Sequence, residues 1–481
     1  MNTPSFLWHD YETFGTSART DRPAQFAAIR TDMALNEIGA PINILCQPAP
    51  DYLPSPGACL VTGISPQQCL EQGYPEYQFA AHIHEAFSQA NTCGVGYNTI
   101  QFDDEFTRFL FWRNLIEPYS REWQNGGSRW DLLNVVRMFY ALRPEGIQWP
   151  QAQGKPSFKL ELLTQANGIT HDAAHDALSD VRATIALARL LRQSNPRLFD
   201  FAFNLRKKDQ VLAELGLPCE PQAAAPFLHI SGFYPTEQGC SALLWPLAQH
   251  PVNKNEIIVW DLRYNPNVLA TMGAEQIRQR LFTPAEQRAA GQERLPLSTI
   301  ALNKSPMVLR MRHSLKPLLE QRWHLNVDQA FQHAAVARDL PDMSAIWEQV
   351  FSRPAGYDEV DVDADLYGGF LSHNDRRKLD ELRTYTGEAL ARQRVRFEDA
   401  RLDELFFRYR ARNFPDTLSE EEFDQWQSHC AERLLDGKGG ARTVDNLLEE
   451  LDRYQNDRTL RPEQMELLEQ LHLYAEHIVP L

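Results

Sequence analysis

Residues 6–13 read FLWHDYET, and the fold of the chain turns on how this stretch is taken. It has the composition of a short buried strand that carries two acids, Asp10 and Glu12. Side chains alternate across a strand, so these two acids share one face. Two unit charges ~4 Å apart repel by roughly 4 kcal/mol at an effective dielectric of about 20. A divalent cation is the usual way to offset such a pair. Hard carboxylate oxygens favour Mg²⁺ or Mn²⁺ over zinc. The plainer alternative is a pair of solvated acids at a strand end, with Thr13 opening a turn. The rest of the chain decides between the two.

Further strands are expected over residues 25–33 and 41–46, around a turn at 36–39. Three strands followed by helices suit an α/β domain with a mixed sheet. The stretch DYLPSPGACLVTGISPQQC (51–69) is punctuated by Pro and Gly and reads as loop, with a short helix after Ile64 started by Ser65 and Pro66. Residues 92–96 form another short strand. An amphipathic helix then opens at Phe102–Asp103, its apolar side carrying Phe106, Phe109, Leu110 and Leu115. Asp103 or Asp104 falls in its first turn, where an acid complements the helix dipole and a simple cap would explain it. Residues 130–142 read as a helix with Leu132, Leu133, Val136 and Phe139 inward. The polar, Pro- and Gly-rich segment 143–158 is a loop, and Lys159 lies just inside the next helix.

In NGITHDAAHDALSDVRATIALARLL (167–191), Leu178, Val181, Ile185, Ala188 and Leu191 make an apolar stripe at helical spacing. His175 and Asp180 flank its start, and His171 and Asp176 repeat their spacing as a decoy. The first pair is preferred because Asp180 sits a full turn inside the helix. Five helical residues rotate by about 140°, so His175 must stand at or before the helix start to share a site with Asp180. A surface helix pair is the bland alternative.

The chain has 481 residues, too long for one compact core, so two to four domains are expected. No apolar run approaches the ~20 residues needed to span a bilayer, no secretory signal is read, and no membrane partner is expected. The seven cysteines are scattered and odd in number, as in a cytoplasmic protein with reduced core thiols. A net charge of −16 argues against a protein that coats nucleic acid with its whole surface. A nuclease with a local basic lining remains compatible with it.

The apolar stripe ends near Asn195–Pro196, and a domain boundary follows. FLHISGFY, CSALLWPLA, NEIIVWDL, LSTIALN and PMVLRM, all within residues 227–311, are short β-rich runs with frequent turns, which suggests a small barrel. Residues 294–317 contain no Asp or Glu but carry Arg294, Lys304, Arg310, Arg312 and Lys316. This tract suits a DNA backbone or an acidic peptide, or else a strand edge protected by charge. From about residue 358 the chain is helical, with no coiled-coil seam, and a monomer is expected.

Asp10-x-Glu12, Asp103 before a helix, and His175-x-x-x-x-Asp180 resemble, in order and separation, the three motifs of the DEDDh exonuclease superfamily. The strings HDYETFGT, DRPAQFAAIRTD, GYN, FDDE, SRWDLL, YALRPEGI, WP, PSF, NGITH and ARNFP (411–415) are similar to those of the bacterial exonuclease I family, and they span nearly the whole chain. Lys159 stands where that family can carry Arg, which keeps the charge but loses the bidentate fork.

The resemblance implies a ribonuclease H-like α/β nuclease domain (1–196), an SH3-like β-barrel (197–352) and an α-helical C-terminal domain (353–481). In the family these parts close a groove over single-stranded DNA. The implied activity is processive 3′→5′ degradation of single-stranded DNA to 5′-mononucleotides, in DNA repair and recombination. The implied cofactor is a pair of Mg²⁺ ions about 3.5–4 Å apart, replaceable by Mn²⁺. Asp10 would bridge the ions, Glu12 and Asp180 would complete one, Asp103 would hold the other through water, and His175 would accept the proton of the attacking water. Substrate contacts are expected at Glu12, Lys159, Arg108, Tyr119, Trp123, Arg137 and Lys304, with Trp123 and Trp130 as stacking candidates. The acidic tail of single-strand DNA-binding protein is an expected partner. The other readings are a non-catalytic single-strand-binding adaptor on a nuclease fold and an RNA-directed 3′→5′ exonuclease.

Overall fold

The computed structural model describes residues 3–171, 176–219, 223–288, 293–352, 360–456 and 459–478. They form two compact units. One comprises Met1–Ser128, His171–Ile185 and Tyr357–Leu481; the other comprises Arg129–Thr170 and Ala186–Gly356.

The first unit is built on strands β1 (Ser5–Thr13), β2 (Pro23–Thr31), β3 (Ile42–Leu45) and β4 (Thr92–Gly96), adjacent in the order β3-β2-β1-β4. β1 pairs antiparallel with β2 and parallel with β4, and β2 pairs antiparallel with β3, so the sheet is mixed as expected. The alternation along β1 is the expected one. Leu7 and Tyr11 enter a core with Phe26, Phe79, Ile83, Phe87, Leu110 and Phe111. Asp10 and Glu12 take the opposite face. The β1/β2 register shifts just after Glu12, an irregularity of the kind that re-aims a side chain.

The C-terminal helices share cores with the N-terminal segment. Phe109, Trp112 and Leu115, on and just after helix Asp103–Arg113, pack with Leu366, Leu379, Leu402, Leu405 and Phe406. Helices Val444–Gln455 and Pro462–Ile478 supply Leu447, Leu451, Leu468 and Leu471 to a core with Phe14, Tyr52, Cys59 and Cys69.

A buried ionic network adds to these contacts. Arg412 forks onto Asp51 (Nε–Oδ1 3.1 Å, Nη2–Oδ2 2.7 Å) and reaches Asp363 through Nη1 at 3.0 Å. Arg408 bonds Asp361 at 2.9 Å, and Arg113 bonds Glu76 at 2.9 Å. Burial alone would raise Asp51, but Arg412, His429 and Arg433 outweigh it and hold the carboxyl well below its ordinary range.

In the second unit, strands Phe227–Ile230, Ser241–Gln249, Glu256–Asp261, Leu297–Ala301 and Met307–Arg310 form one antiparallel sheet. They are the five β-rich runs read from the sequence.

Three local expectations need correction. The stretch read as loop before Ile64 contains a helix, Pro56–Thr62, with Pro at its first turn and Gly63 at φ 71° closing it; those are ordinary start and stop signals, and the Pro and Gly density obscured them. The helix expected from residue 130 begins at Leu132, because Asp131 accepts the Leu133 N–H at 3.0 Å as its cap. Lys159 is the N-cap residue of helix Leu160–Ala166 and not inside it. All seven cysteines are free and six are buried. Among the described residues no helix is long and apolar enough to cross a membrane.

Candidate active site

β1 presents Asp10 and Glu12 in neighbouring same-face positions, opposite Ala27 and Gln25 of β2. Helix Ala177–Ser194 brings Asp180 to them from far along the chain. Asp176 Oδ2 accepts the Ser179 N–H at 2.9 Å, so the helix is capped one turn before Asp180. The result is a group of carboxylates: ligand oxygens of Asp10, Glu12 and Asp180 all lie within 4.8 Å of one another. A set of oxygen donors this close fits a hard divalent cation.

Asp103 joins the group from the start of its helix. Its Oδ1 accepts the backbone N–H of Tyr11, between the two β1 acids, at 3.0 Å, and its side chain is buried. The neighbouring Asp104 is spent on a buried ion pair with Arg121. Of the two acids of the FDDE string, then, Asp103 bonds the strand that carries Asp10 and Glu12, and Asp104 pairs with Arg121.

The electrostatics follow from crowding. Burial, then Asp103, Glu12 and Asp180, push the Asp10 carboxyl well above its ordinary value. Burial, then Asp180, Asp103 and Asp176, push Glu12 up to about 8. Asp176 was read only as half of a decoy pair; its effect on Glu12 could not be seen from spacing. For Glu12 the unfolded chain titrates near 4.5, so between about pH 4.5 and about pH 8 the native state holds more protons than the unfolded one. Stability from this cluster is therefore complete at the acidic end and lost as pH rises through about 8. The thermal midpoint of metal-free protein is expected to fall across that window, and Mg²⁺ is expected to raise the midpoint more at the alkaline end. Calorimetry in chelator and in Mg²⁺ checks both; a Mg²⁺ effect that shrinks with pH would contradict the account.

His175 lies outside the described residues. His171 does reach the cluster, with Nε2 2.5 Å from Asp180 Oδ1.

The other expected contacts separate clearly. Arg108 is buried and its charge is neutralised: Nε and Nη2 fork onto Glu122 at 2.8 and 3.1 Å, and Nη1 bonds Glu105. It is not placed as a free phosphate contact, because those carboxylates already occupy its fork. Tyr119 lies under the Arg108 guanidinium, 5.2 Å from it, and 6.0 Å from the Phe370 ring. Trp123 is 57% exposed and suits a stacking platform.

Trp130 does not suit that role. It is fully buried in the second unit, its Nε1–H bonds Ala202 O at 3.2 Å, and Phe199 and Phe203 meet it edge-on. Arg137, Lys159 and Lys304 also belong to the second unit. Arg137 donates to Asn134 Oδ1 at 2.8 Å. Lys159 is exposed, 3.8 Å from Glu161. The Lys304 N–H bonds Ala301 O in the turn between two strands.

Three family models match the chain: "Exonuclease" over residues 7–188, "Exonuclease I SH3-like domain" over 206–353 and "Exonuclease I C-terminal domain" over 360–478. The chain is 41% identical to exodeoxyribonuclease I of Escherichia coli over 99% of its length and 98% of that protein's. It superposes on a moderately thermophilic exonuclease I from Methylocaldum szegediense with a TM-score of 0.93 at 44% identity, covering 99% of this chain and 100% of the other. Against E. coli exonuclease I in complex with a dA16 oligonucleotide, the TM-score is 0.90 at 40% identity, with the same coverage. The chain also matches a zinc-bound complex of E. coli ExoI with single-stranded DNA and a structure described as an ExoI/SSB-Ct complex, each at a TM-score of 0.89. With this identity sustained from end to end, the chain belongs to the exodeoxyribonuclease I family.

Proposed function

We propose that this protein is a 3′→5′ exonuclease that degrades single-stranded DNA to 5′-mononucleotides, in repair and recombination, as a cytoplasmic monomer. The observation that carries the reading is the convergence of Asp10, Glu12 and Asp180 oxygens within 4.8 Å, with Asp103 bonded to the strand between them. The dA16 complex of E. coli exonuclease I supports the substrate.

Two Mg²⁺ ions, with Mn²⁺ as substitute, are the proposed cofactor. When bound they supply an activated water and stabilise charge on the phosphate and the leaving oxygen. Asp10, Glu12 and Asp180 would hold one ion, and Asp10 and Asp103 would contribute to the second. His175 takes the proton of the attacking water, and Trp123 stacks on a base. The zinc-bound E. coli complex supports a metal at such a site without fixing ion type or number.

A gel assay with labelled single-stranded DNA, duplex DNA and RNA, with and without Mg²⁺, tests this. Binding without cleavage would favour an adaptor; preference for RNA would overturn the substrate. His175→Ala is expected to slow cleavage by about 10²–10⁴-fold at saturating Mg²⁺, the usual share of a general base. The loss in His171→Ala must be smaller under the same conditions.

The ExoI/SSB-Ct complex supports an acidic peptide tail as partner. The basic tract offers Arg310 and Arg312, whose neighbour Glu214 accepts the Arg310 N–H at 2.9 Å and lies 3.7 Å from Arg312. Reversing both charges is expected to weaken tail binding at least tenfold by fluorescence anisotropy; unchanged affinity would remove this partner site.

A further inference from the structure

Asp10 and Glu12 are placed by the register of β1, and Asp103 by the Tyr11 N–H. Asp180 is placed differently. It sits in the first turn of a helix, its side chain 20% exposed, facing like charges that repel it. Left to itself such a carboxylate turns toward water. His171 stands against it, with its imidazole only 6% exposed and Nε2 2.5 Å from Oδ1. An ionised carboxylate can only accept, so Nε2 carries the hydrogen in this contact.

We propose that His171 is a positioning residue for Asp180: its Nε2–H bonds the carboxylate and keeps the group turned to Asp10 and Glu12. This rests on the metal-site reading above and adds a residue to it. Outer partners that orient metal ligands in this way typically contribute 10–100-fold to metal affinity. His171, the decoy for the base, thus has a function of its own: it serves the metal, whereas His175 serves the water.

The test is Mn²⁺ binding to the full-length protein without DNA, followed by electron paramagnetic resonance, for the parent, His171→Ala, His171→Gln and Asp10→Ala. His171→Ala is expected to bind Mn²⁺ about 10–100-fold more weakly. In His171→Gln the amide N–H reaches the place of Nε2, and most of the affinity returns. Cleavage at saturating Mg²⁺ falls by less in both than in His175→Ala. Equal losses in the Ala and Gln variants would indicate general damage and overturn the positioning role, and so would affinities equal to the parent's. If the parent binds and Asp10→Ala does not, the metal site stands whatever the His171 variants do. A parent that binds no Mn²⁺ would sink the site and the positioning role together.

Discussion

Asp10→Ala is expected to abolish turnover, by about 10³-fold or more, and to leave the fold intact. A loss of that size is at least about 4 kcal/mol of transition-state stabilisation at 1.36 kcal/mol per tenfold, within what a bound metal supplies. The fold survives because Asp10 opposes Ala27 across β1 and β2, where a methyl group fits. It also survives because the carboxyl is a burden to the metal-free protein: burial and three neighbouring acids hold it well above its ordinary value. Removing it relieves that repulsion, so the thermal midpoint in chelator should equal or exceed the parent's. The rise in midpoint on adding Mg²⁺ should vanish. Appreciable Mg²⁺-dependent cleavage by the variant would count against the whole assignment.

Arg412→Ala is expected to destabilise the first unit by about 3–5 kcal/mol, the usual result of removing one partner from a buried ion pair. Arg412 is 5% exposed and Asp51 is fully buried, so alanine would remove the one guanidinium that bonds both Asp51 and Asp363 and leave these acids Arg433 and Arg408 as close guanidinium partners. Burial would then raise both acids, which Arg412 now holds low. Arg412→Lys should recover only part, since an ammonium cannot fork onto Asp51 and Asp363 together. Arg412→Leu combined with Asp51→Asn and Asp363→Asn should recover part of the loss seen in Arg412→Leu, because Arg433 and Arg408, which also face Asp51 and Asp363, keep Asp361 as a partner. Urea and thermal unfolding of the four proteins measure this. A loss below about 1 kcal/mol in Arg412→Ala would mean that water reaches the network.

The ARNFP string that contributed to the family resemblance contains this arginine. Its recurrence in a motif said nothing about why an arginine is needed. The ion pairs it makes, to residues 361 and 49 positions away, supply the reason. Arg108 shows the opposite case. The resemblance placed it among substrate contacts, and the structure commits its fork to Glu105 and Glu122. Trp130 was even more ambiguous, since a tryptophan that stacks on a base and one that fills a core look alike in sequence; only its closed surroundings decide for the core.

By itself the sequence determined the local patterns. Alternation along FLWHDYET put Asp10 and Glu12 on one face, five short β-rich runs suggested a small barrel, and an apolar stripe announced the helix that carries Asp180. Those signals depend on neighbours within a few residues, and hydrophobic periodicity records them directly. Tertiary structure alone gave Asp104 to Arg121 and set His171 against Asp180. It also raised Glu12 through Asp176 and joined the C-terminal helices to the nuclease core. Each of these rests on the distance between groups far apart along the chain and on how much water is left between them, and charge and burial interact through space without leaving a period in the sequence.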